Sequence, residues 1–281
     1  MAIAEGSAAL ARVLADPTFE LIPIRDVHEQ AAAVPRGRTV SVTASPHKPI
    51  EATVEVAVEL ENAGLRAIPH IAARQVRDRA HLATVLDRLE DAGIDRAFVV
   101  GGDAAEPGDF RDGLSLLRAM ADAGRLPTEL GCPCYPQGHP SIPDDVLAQA
   151  LRDKTPFVEY MTTQLCFEPR AIASFISAQR AEGNTLPVKL GMPGVAEIPR
   201  LLSISARIGV RDASKFVLRN ASFVTQLVRS AGVYRPRELL KRLGPIIDDP
   251  EARVIGLHVY TFNNVAATEV WRREAEAAAT R

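Results

Sequence analysis

The sequence predicts an α/β protein with one domain, a (β/α)8 TIM barrel over residues 1–281. Short apolar runs alternate with longer amphipathic stretches about eight times, and no composition break interrupts the alternation. The length of 281 residues also suits one such barrel, which takes roughly 250 residues. The same alternation leaves a doubly wound open sheet as the alternative.

The predicted strands are near-continuous apolar runs, which are typical of parallel strands covered on both faces. They are 19–23, 39–45, 66–72, 96–102, 128–134, 158–167, 187–194 and 254–262. Apolar periodicity, with Gly or Asn as stop signals, predicts the helices between them. They are 49–64, 78–93, 110–124, 141–153, 169–183, a long helical region after 194, and a C-terminal helix over 266–281. Residues 1–17 are predicted to form an N-terminal helical extension.

Composition and charge narrow the range of partners. The chain is 47% hydrophobic with a formal net charge of -2, so it lacks the basic field expected of a nucleic-acid-binding protein. It has no apolar run long enough to span a membrane and no signal-peptide pattern, which predicts a cytoplasmic protein. Its three cysteines fit a reducing compartment, and neither they nor the histidines show metal-ligand spacing. A small-molecule substrate is therefore expected, and a homo-oligomer stays open.

Active sites of such barrels lie at the carboxyl ends of the strands. The candidate residues at the predicted strand ends are Glu20, Thr43, His70, Gly102, Asp103, Tyr135, His139, Gln164 and Asn263. Glu20 and Asp103 should converge on one cavity, where carboxylates are costly unless they are used or paired. Two alternatives remain: Glu20 could pair with Arg25 or Arg38, and Asp103 could cap a turn.

Eight fragments at these strand ends resemble, in order, the motifs of the methylenetetrahydrofolate reductase family. They are FELIPIR (19–25), VSVT (40–43), IPHIAA (68–73), GGDAAEP (101–107), CYPQGHPS (134–141), TTQLCF (162–167), LGMPGV (190–195) and HVYTFN (258–263). Each fragment alone is a weak signal, whereas eight fragments in the same order along the barrel are fairly specific.

The resemblance implies NAD(P)H-dependent reduction of 5,10-methylenetetrahydrofolate to 5-methyltetrahydrofolate, a step of one-carbon metabolism that supplies methionine biosynthesis. By resemblance, Glu20 is the general acid that protonates N10 and opens the ring to an iminium cation, which Asp103 stabilises. Gln164 and Asn263 match substrate-binding positions. The remaining candidates match positions around the family's flavin, and they are Thr43, His70, Gly102, Tyr135 and His139. No metal is implied.

Two departures from the family pattern concern the flavin. Gly101 stands where flavin-using members have arginine, and Asp153 separates Arg152 from Lys154 in the stretch that is basic in those members. Phosphate recognition relies on such cations, so the sequence leaves open both bound FAD and direct hydride transfer from NADH or NADPH. It also leaves open a folate-binding methyl-transfer partner or a non-catalytic paralogue on the same barrel.

Overall fold

Eight parallel strands close into a barrel in the computed structural model, which describes residues 7–207 and 232–281. The barrel strands are β1 (Thr18–Leu21), β2 (Thr39–Val42), β3 (Arg66–Ala72), β4 (Arg96–Val100), β5 (Glu129–Cys134), β6 (Tyr160–Thr163), β7 (Val188–Pro193) and β10 (Val254–Tyr260). Strand β1 pairs with β2 on one side and with β10 on the other, which completes the closure. The predicted (β/α)8 barrel is confirmed.

Helices connect and cover these strands. They are α1 (Ala8–Ala15), α2 (Val27–Ala31), α3 (Ile50–Asn62), α4 (Arg79–Asp91), α5 (Gly113–Asp122), α6 (Asp144–Lys154), α7 (Pro169–Ala181), α8 (Ile198–Arg207), α9 (Arg237–Asp248) and α10 (Val265–Ala279). Helices α3 and α4 end as their sequences predict, with Gly64 and Gly93 at φ values of +86° and +71°. Such left-handed backbone terminates a helix and is least costly for glycine.

Several strands are shorter than predicted at their carboxyl ends. The run 158–167 forms a strand only over Tyr160–Thr163. Its apolar tail leaves the barrel, and Leu165 and Phe167 pack in a small separate cluster with Tyr234 and Phe262. The predicted strand was therefore too long, because its last apolar residues belong to a loop that packs outside the barrel.

Helix α2 and the strands β8 (Ala196–Glu197) and β9 (Val233–Tyr234) were not predicted. Helix α2 is a single short turn after β1, and β8 pairs antiparallel with β9 outside the barrel. Within the predicted helical region after 194, the structure describes α8 and α9, while residues 208–231 lie outside the described part of the chain. Of the predicted extension 1–17, residues 7–17 are described, and helix α1 packs on α10 and β10.

The lower half of the barrel interior is filled with side chains. Ile68, Phe98 and Tyr160 pack together there, and a Cβ added at Gly131 would lie only 2.4 Å from the Tyr160 ring. Below them, Lys189 Nζ lies 4.1 Å from the centre of that ring. The interior is therefore open to a ligand at the carboxyl end of the strands. None of the described helices has the length and apolar character needed to span a bilayer.

Candidate active site

A cavity of about 1410 Å³ lies over the carboxyl ends of the strands. Its lining includes eight of the nine site residues predicted from the sequence. They are Glu20, Thr43, His70, Gly102, Asp103, Tyr135, His139 and Gln164. The barrel thus brings together residues that are spread over nearly 150 positions of the chain, as the strand-end rule predicts.

Glu20 is held by a histidine that the sequence analysis did not select. Glu20 Oε2 lies 3.0 Å from His258 Nε2, and the two side chains are only 14% and 5% exposed. Register explains the contact, because β1 and β10 are neighbours with Thr18 opposite His258. The alternative of an arginine partner for Glu20 is wrong, since Arg38 instead lies 3.3 Å from Asp16 and Arg25 is exposed.

His70 lies beside this pair as a neutral imidazole. Its Nε2 is 2.6 Å from Ser41 Oγ, and its ring centre is 4.8 Å from that of Phe98. Burial, with a smaller contribution from the neighbouring His258, lowers the pKa of His70 to about 3. His70 is therefore a fixed hydrogen-bonding group rather than a proton donor in the neutral pH range.

Two tyrosines at the cavity wall remain protonated. Tyr260 donates a hydrogen bond to the Thr163 carbonyl at 3.2 Å, and its ring meets His258 edge-on with centroids 5.0 Å apart. Burial raises the pKa of Tyr260 well above its ordinary value, and the Glu20 charge adds to the effect. Burial likewise raises the pKa of Tyr135 to about 12. Both hydroxyls are donors rather than bases at neutral pH.

The loop after β4 carries Asp103 to the rim of the cavity. Gly102 adopts φ +84°, and a Cβ there would lie 2.9 Å from Ala72 Cβ, so glycine allows the close approach of this loop to β3. Arg74 donates to the carbonyl oxygen of Ala104 at 2.6 Å and holds the loop from below. Asp103 itself is exposed. A turn-capping aspartate would accept a hydrogen bond from a nearby backbone N–H, and Asp103 accepts none from the described residues.

Gln164 and Asn263 differ in what they offer a ligand. Gln164 Oε1 accepts a hydrogen bond from Leu165 N at 2.8 Å, which turns its NH2 group into the part that can donate to a ligand. Asn263 is buried outside the cavity lining. Its amide accepts from Ile22 N at 2.9 Å and donates to Ile22 O at 3.1 Å. Asn263 therefore fixes the chain just after the strand that carries Glu20.

The sequence contained a signal for His258 and Phe98, which were not among the candidate residues. His258 and Tyr260 are two positions apart on β10, and Phe98 lies at the same level on β4, so strand alternation places them on the inner face. Arg74 lies in a short 3₁₀ turn after β3 and had no comparable pattern.

Comparison with known proteins identifies the family. The family model described as methylenetetrahydrofolate reductase matches residues 24–272. This chain belongs to the methylenetetrahydrofolate reductase family. Members of this family are oxidoreductases of folate metabolism that generally use a nicotinamide nucleotide as donor. The resemblance seen in the strand-end motifs is confirmed, although Glu20 itself lies four residues before the matched range.

Solved structures with similar folds are distant in sequence. A lyase/mutase described as putative, from Burkholderia cenocepacia J2315, is 15% identical with a TM-score of 0.48, and the match covers 96% of this chain and 86% of that one. A class V chitinase mutant from Cycas revoluta, in complex with (GlcNAc)3, is 10% identical with a TM-score of 0.47 over 93% and 99% of the two chains. These similarities carry no argument about function.

The charged side chains of the cavity bear on whether it could hold the pyrophosphate of a flavin nucleotide. Among the described residues, four basic side chains line it, namely Arg74, Arg111, Arg152 and Lys154, against five acidic ones, namely Glu20, Asp103, Asp112, Asp145 and Asp153. Carboxylates also lie at the N-termini of α5 and α6, where a phosphate could otherwise bind. Asp112 caps α5, and Asp145 lies in the first turn of α6.

The four basic side chains are either hydrogen-bonded to other protein groups or far apart from one another. The guanidinium of Arg74 is bonded to loop carbonyls, and that of Arg152 to Gln149 at 2.9 Å. Arg111 precedes α5 at the mouth, whereas Lys154 ends α6, about 15 Å along that helix from its start. A Cβ added at Gly101 would meet nothing within 4 Å. Among the described residues, the cavity therefore lacks a cluster of unengaged cations for a flavin pyrophosphate.

Proposed function

We propose that this protein reduces 5,10-methylenetetrahydrofolate to 5-methyltetrahydrofolate with hydride from NADH or NADPH, and that Glu20 is the general acid. The observation that carries the proposal is the position of Glu20, a largely buried carboxyl group that faces a large cavity and is held by His258 at 3.0 Å. Buried carboxyl groups aimed into a cavity are strong candidates for acid–base roles.

Glu20 supplies the proton that opens the folate ring. As the bond between the methylene carbon and N10 breaks, its electron pair stays on N10 and takes the proton of Glu20. The methylene carbon is left as an iminium cation with N5, and the exposed carboxylate of Asp103 at the rim stabilises that charge. The nicotinamide supplies the hydride that converts this carbon to a methyl group.

The surrounding residues hold Glu20 in place. His258 Nε2 fixes the carboxyl oxygen, and Tyr260 packs edge-on against His258. Thr261 Oγ1 donates to the backbone carbonyl of Glu20, and Asn263 clamps Ile22 two residues further on. Restricting the acid to one orientation keeps its proton within reach of the leaving nitrogen.

We further infer that the hydride passes directly from the nicotinamide to the folate, without bound FAD. This rests on the mismatch between the cavity charges and a flavin pyrophosphate. A dissociating co-substrate can leave its own pyrophosphate in solvent, whereas a resident flavin has to be retained by the protein.

The decisive experiment combines a spectrum with an activity measurement. We expect the purified protein to show no flavin absorption, and to oxidise NADH or NADPH only when methylenetetrahydrofolate is added. Glu20→Gln should lower turnover by at least about 100-fold, the usual scale of general acid catalysis, while the nucleotide still binds. Glu29→Gln is the matched control, because Glu29 is exposed on α2 and does not line the cavity.

Three outcomes would contradict parts of this proposal. Near-normal turnover of Glu20→Gln would remove Glu20 as the acid. A requirement for added FAD would restore a flavin step. Folate binding without any oxidation of the nucleotide would instead support a folate-binding protein that transfers or senses folate.

A further inference from the structure

A buried threonine hydroxyl in the cavity has no hydrogen-bond partner among the described residues. Thr162, on β6, is 3% exposed and lines the cavity. Its Oγ1 meets no donor or acceptor in the described part of the chain. Buried polar atoms in folded proteins are nearly always paired, and an unpaired one that faces a binding cavity requires an explanation.

Strand alternation shows where this hydroxyl points. Tyr160 and Thr162 lie two residues apart on one face of β6, and Gln164, directly after the strand, continues the alternation. The Tyr160 ring fills the barrel interior above Lys189 Nζ, so Thr162 lies above the ring at the cavity floor, with Gln164 about 7 Å further along the extended chain. The adjacent Thr163 contrasts with Thr162, because its Oγ1 accepts a hydrogen bond from Gly191 N at 2.8 Å.

The two side chains above Tyr160 offer complementary hydrogen bonds. A threonine hydroxyl can both donate and accept. The Gln164 oxygen is already bonded to Leu165 N, so its NH2 group donates. Together they match a group that presents a carbonyl oxygen beside an N–H, as an amide does. The cyclic amide of a pterin and the carboxamide of a nicotinamide both have this chemistry.

We propose that Thr162 is a substrate-binding residue, whose hydroxyl pairs with the amide group of the ring that binds beside Gln164. This inference rests on the proposed function, which supplies two such rings. In the ligand-free protein, the unpaired Thr162 hydroxyl lowers folding stability. Ligand binding removes this cost, because the ligand forms the missing hydrogen bond.

The test uses Thr162→Val, which keeps the side-chain shape and removes the hydroxyl. Calorimetry on the free protein would measure the Kd of tetrahydrofolate and of NADH, and thermal unfolding would measure Tm. We expect the Kd of one ligand to rise about tenfold, the scale of one lost hydrogen bond. We also expect Tm to rise by about 2 °C, since the unpaired buried hydroxyl is gone. Thr162→Ser should keep both Kd values within about twofold.

Thr163→Val is the matched control for stability. It removes a hydroxyl that is bonded to Gly191 N, so its Tm should fall, opposite in sign to Thr162→Val. Loss of affinity confined to tetrahydrofolate assigns the contact to the pterin, and loss confined to NADH assigns it to the carboxamide.

Unchanged Kd values for both ligands, or a fall in Tm for Thr162→Val like that of Thr163→Val, would overturn the proposal. The binding measurements need no turnover. If Thr162→Val weakens folate binding as expected but the wild-type protein oxidises no nucleotide, only the proposed function would be overturned.

Discussion

At the scale of single residues, the contact between Glu20 and His258 is the central feature of the site. The two residues are 238 positions apart in the chain, yet their side chains meet at 3.0 Å in a largely buried position. Phe98 and Tyr260 pack around the His258 ring, with centroid distances of 6.4 and 5.0 Å. We interpret His258 as a positioning residue that acts on the folate through Glu20.

Replacement of His258 should separate positioning from structural effects. His258→Leu should lower kcat by about 10- to 100-fold with little change in the KM for folate, because Glu20 loses the group that orients it. His258→Gln should recover a large part of kcat, since its amide can still donate to Glu20. Steady-state kinetics would check this, and equal losses of kcat in the two variants would contradict it.

At the scale of elements, glycines show where strands and helices have no room for a side chain and where they do. Gly131 on β5 faces the Tyr160 ring, and an added Cβ would lie 2.4 Å from it. Gly244 lies inside α9 with ordinary helical backbone, and an added Cβ would meet nothing within 4 Å. The barrel interior is therefore closely packed below the site, whereas an added Cβ at Gly244 would be restricted, among the described residues, only by its chain neighbour Pro245.

Two alanine substitutions should differ in their effect on stability. Gly131→Ala should lower the free energy of unfolding by about 1–3 kcal/mol, because the methyl group overlaps an aromatic ring that has no free space to move into. Gly244→Ala should change it by less than about 0.5 kcal/mol, because the gain in helix propensity is opposed by Pro245, whose ring disfavours helical backbone for a preceding residue with a Cβ. Urea unfolding of both variants beside the wild type would measure the difference, and equal losses would show that the packing at Gly131 is misjudged.

At the scale of the whole molecule, the buried imidazole of His70 connects the cavity to acid stability. Burial lowers its pKa from 6.5 to about 3, so the unfolded chain binds this proton more readily than the folded one. Stability from this group is present above about pH 6.5 and is lost as the pH falls from 6.5 towards 3. Between these pH values the unfolded chain binds more protons at His70 than the folded protein does, so lowering the pH favours unfolding.

The pH dependence of unfolding should show this linkage. Between pH 6.5 and 5, the free energy of unfolding should fall by up to about 1.4 kcal/mol per pH unit because of this one group. His70→Gln, which lacks a titrating ring, should have a shallower slope over the same interval. Denaturant titrations at several pH values would measure both slopes, and parallel slopes would exclude His70 as the cause.

Local sequence patterns determined the architecture of this protein and most of its candidate site. Continuous apolar runs and helix stop signals are local features, so they placed eight strands and most helices near their observed bounds. Because parallel strands of a barrel present their carboxyl ends at one face, the ends of the predicted strands also indicated eight residues that line the cavity.

The tertiary structure decided which partners these residues have. Because β10 pairs with β1, the partner of Glu20 is His258 and not an arginine. The same pairing brings Asn263 into hydrogen bonding with the backbone of Ile22, outside the cavity lining. Among the residues that the structure describes, packing of the closed barrel likewise leaves the Thr162 hydroxyl without a partner, whereas that of Thr163 bonds to Gly191 N. These contacts depend on register and on the geometry of closure between segments far apart in the chain, and periodicity within one segment contains no information about either.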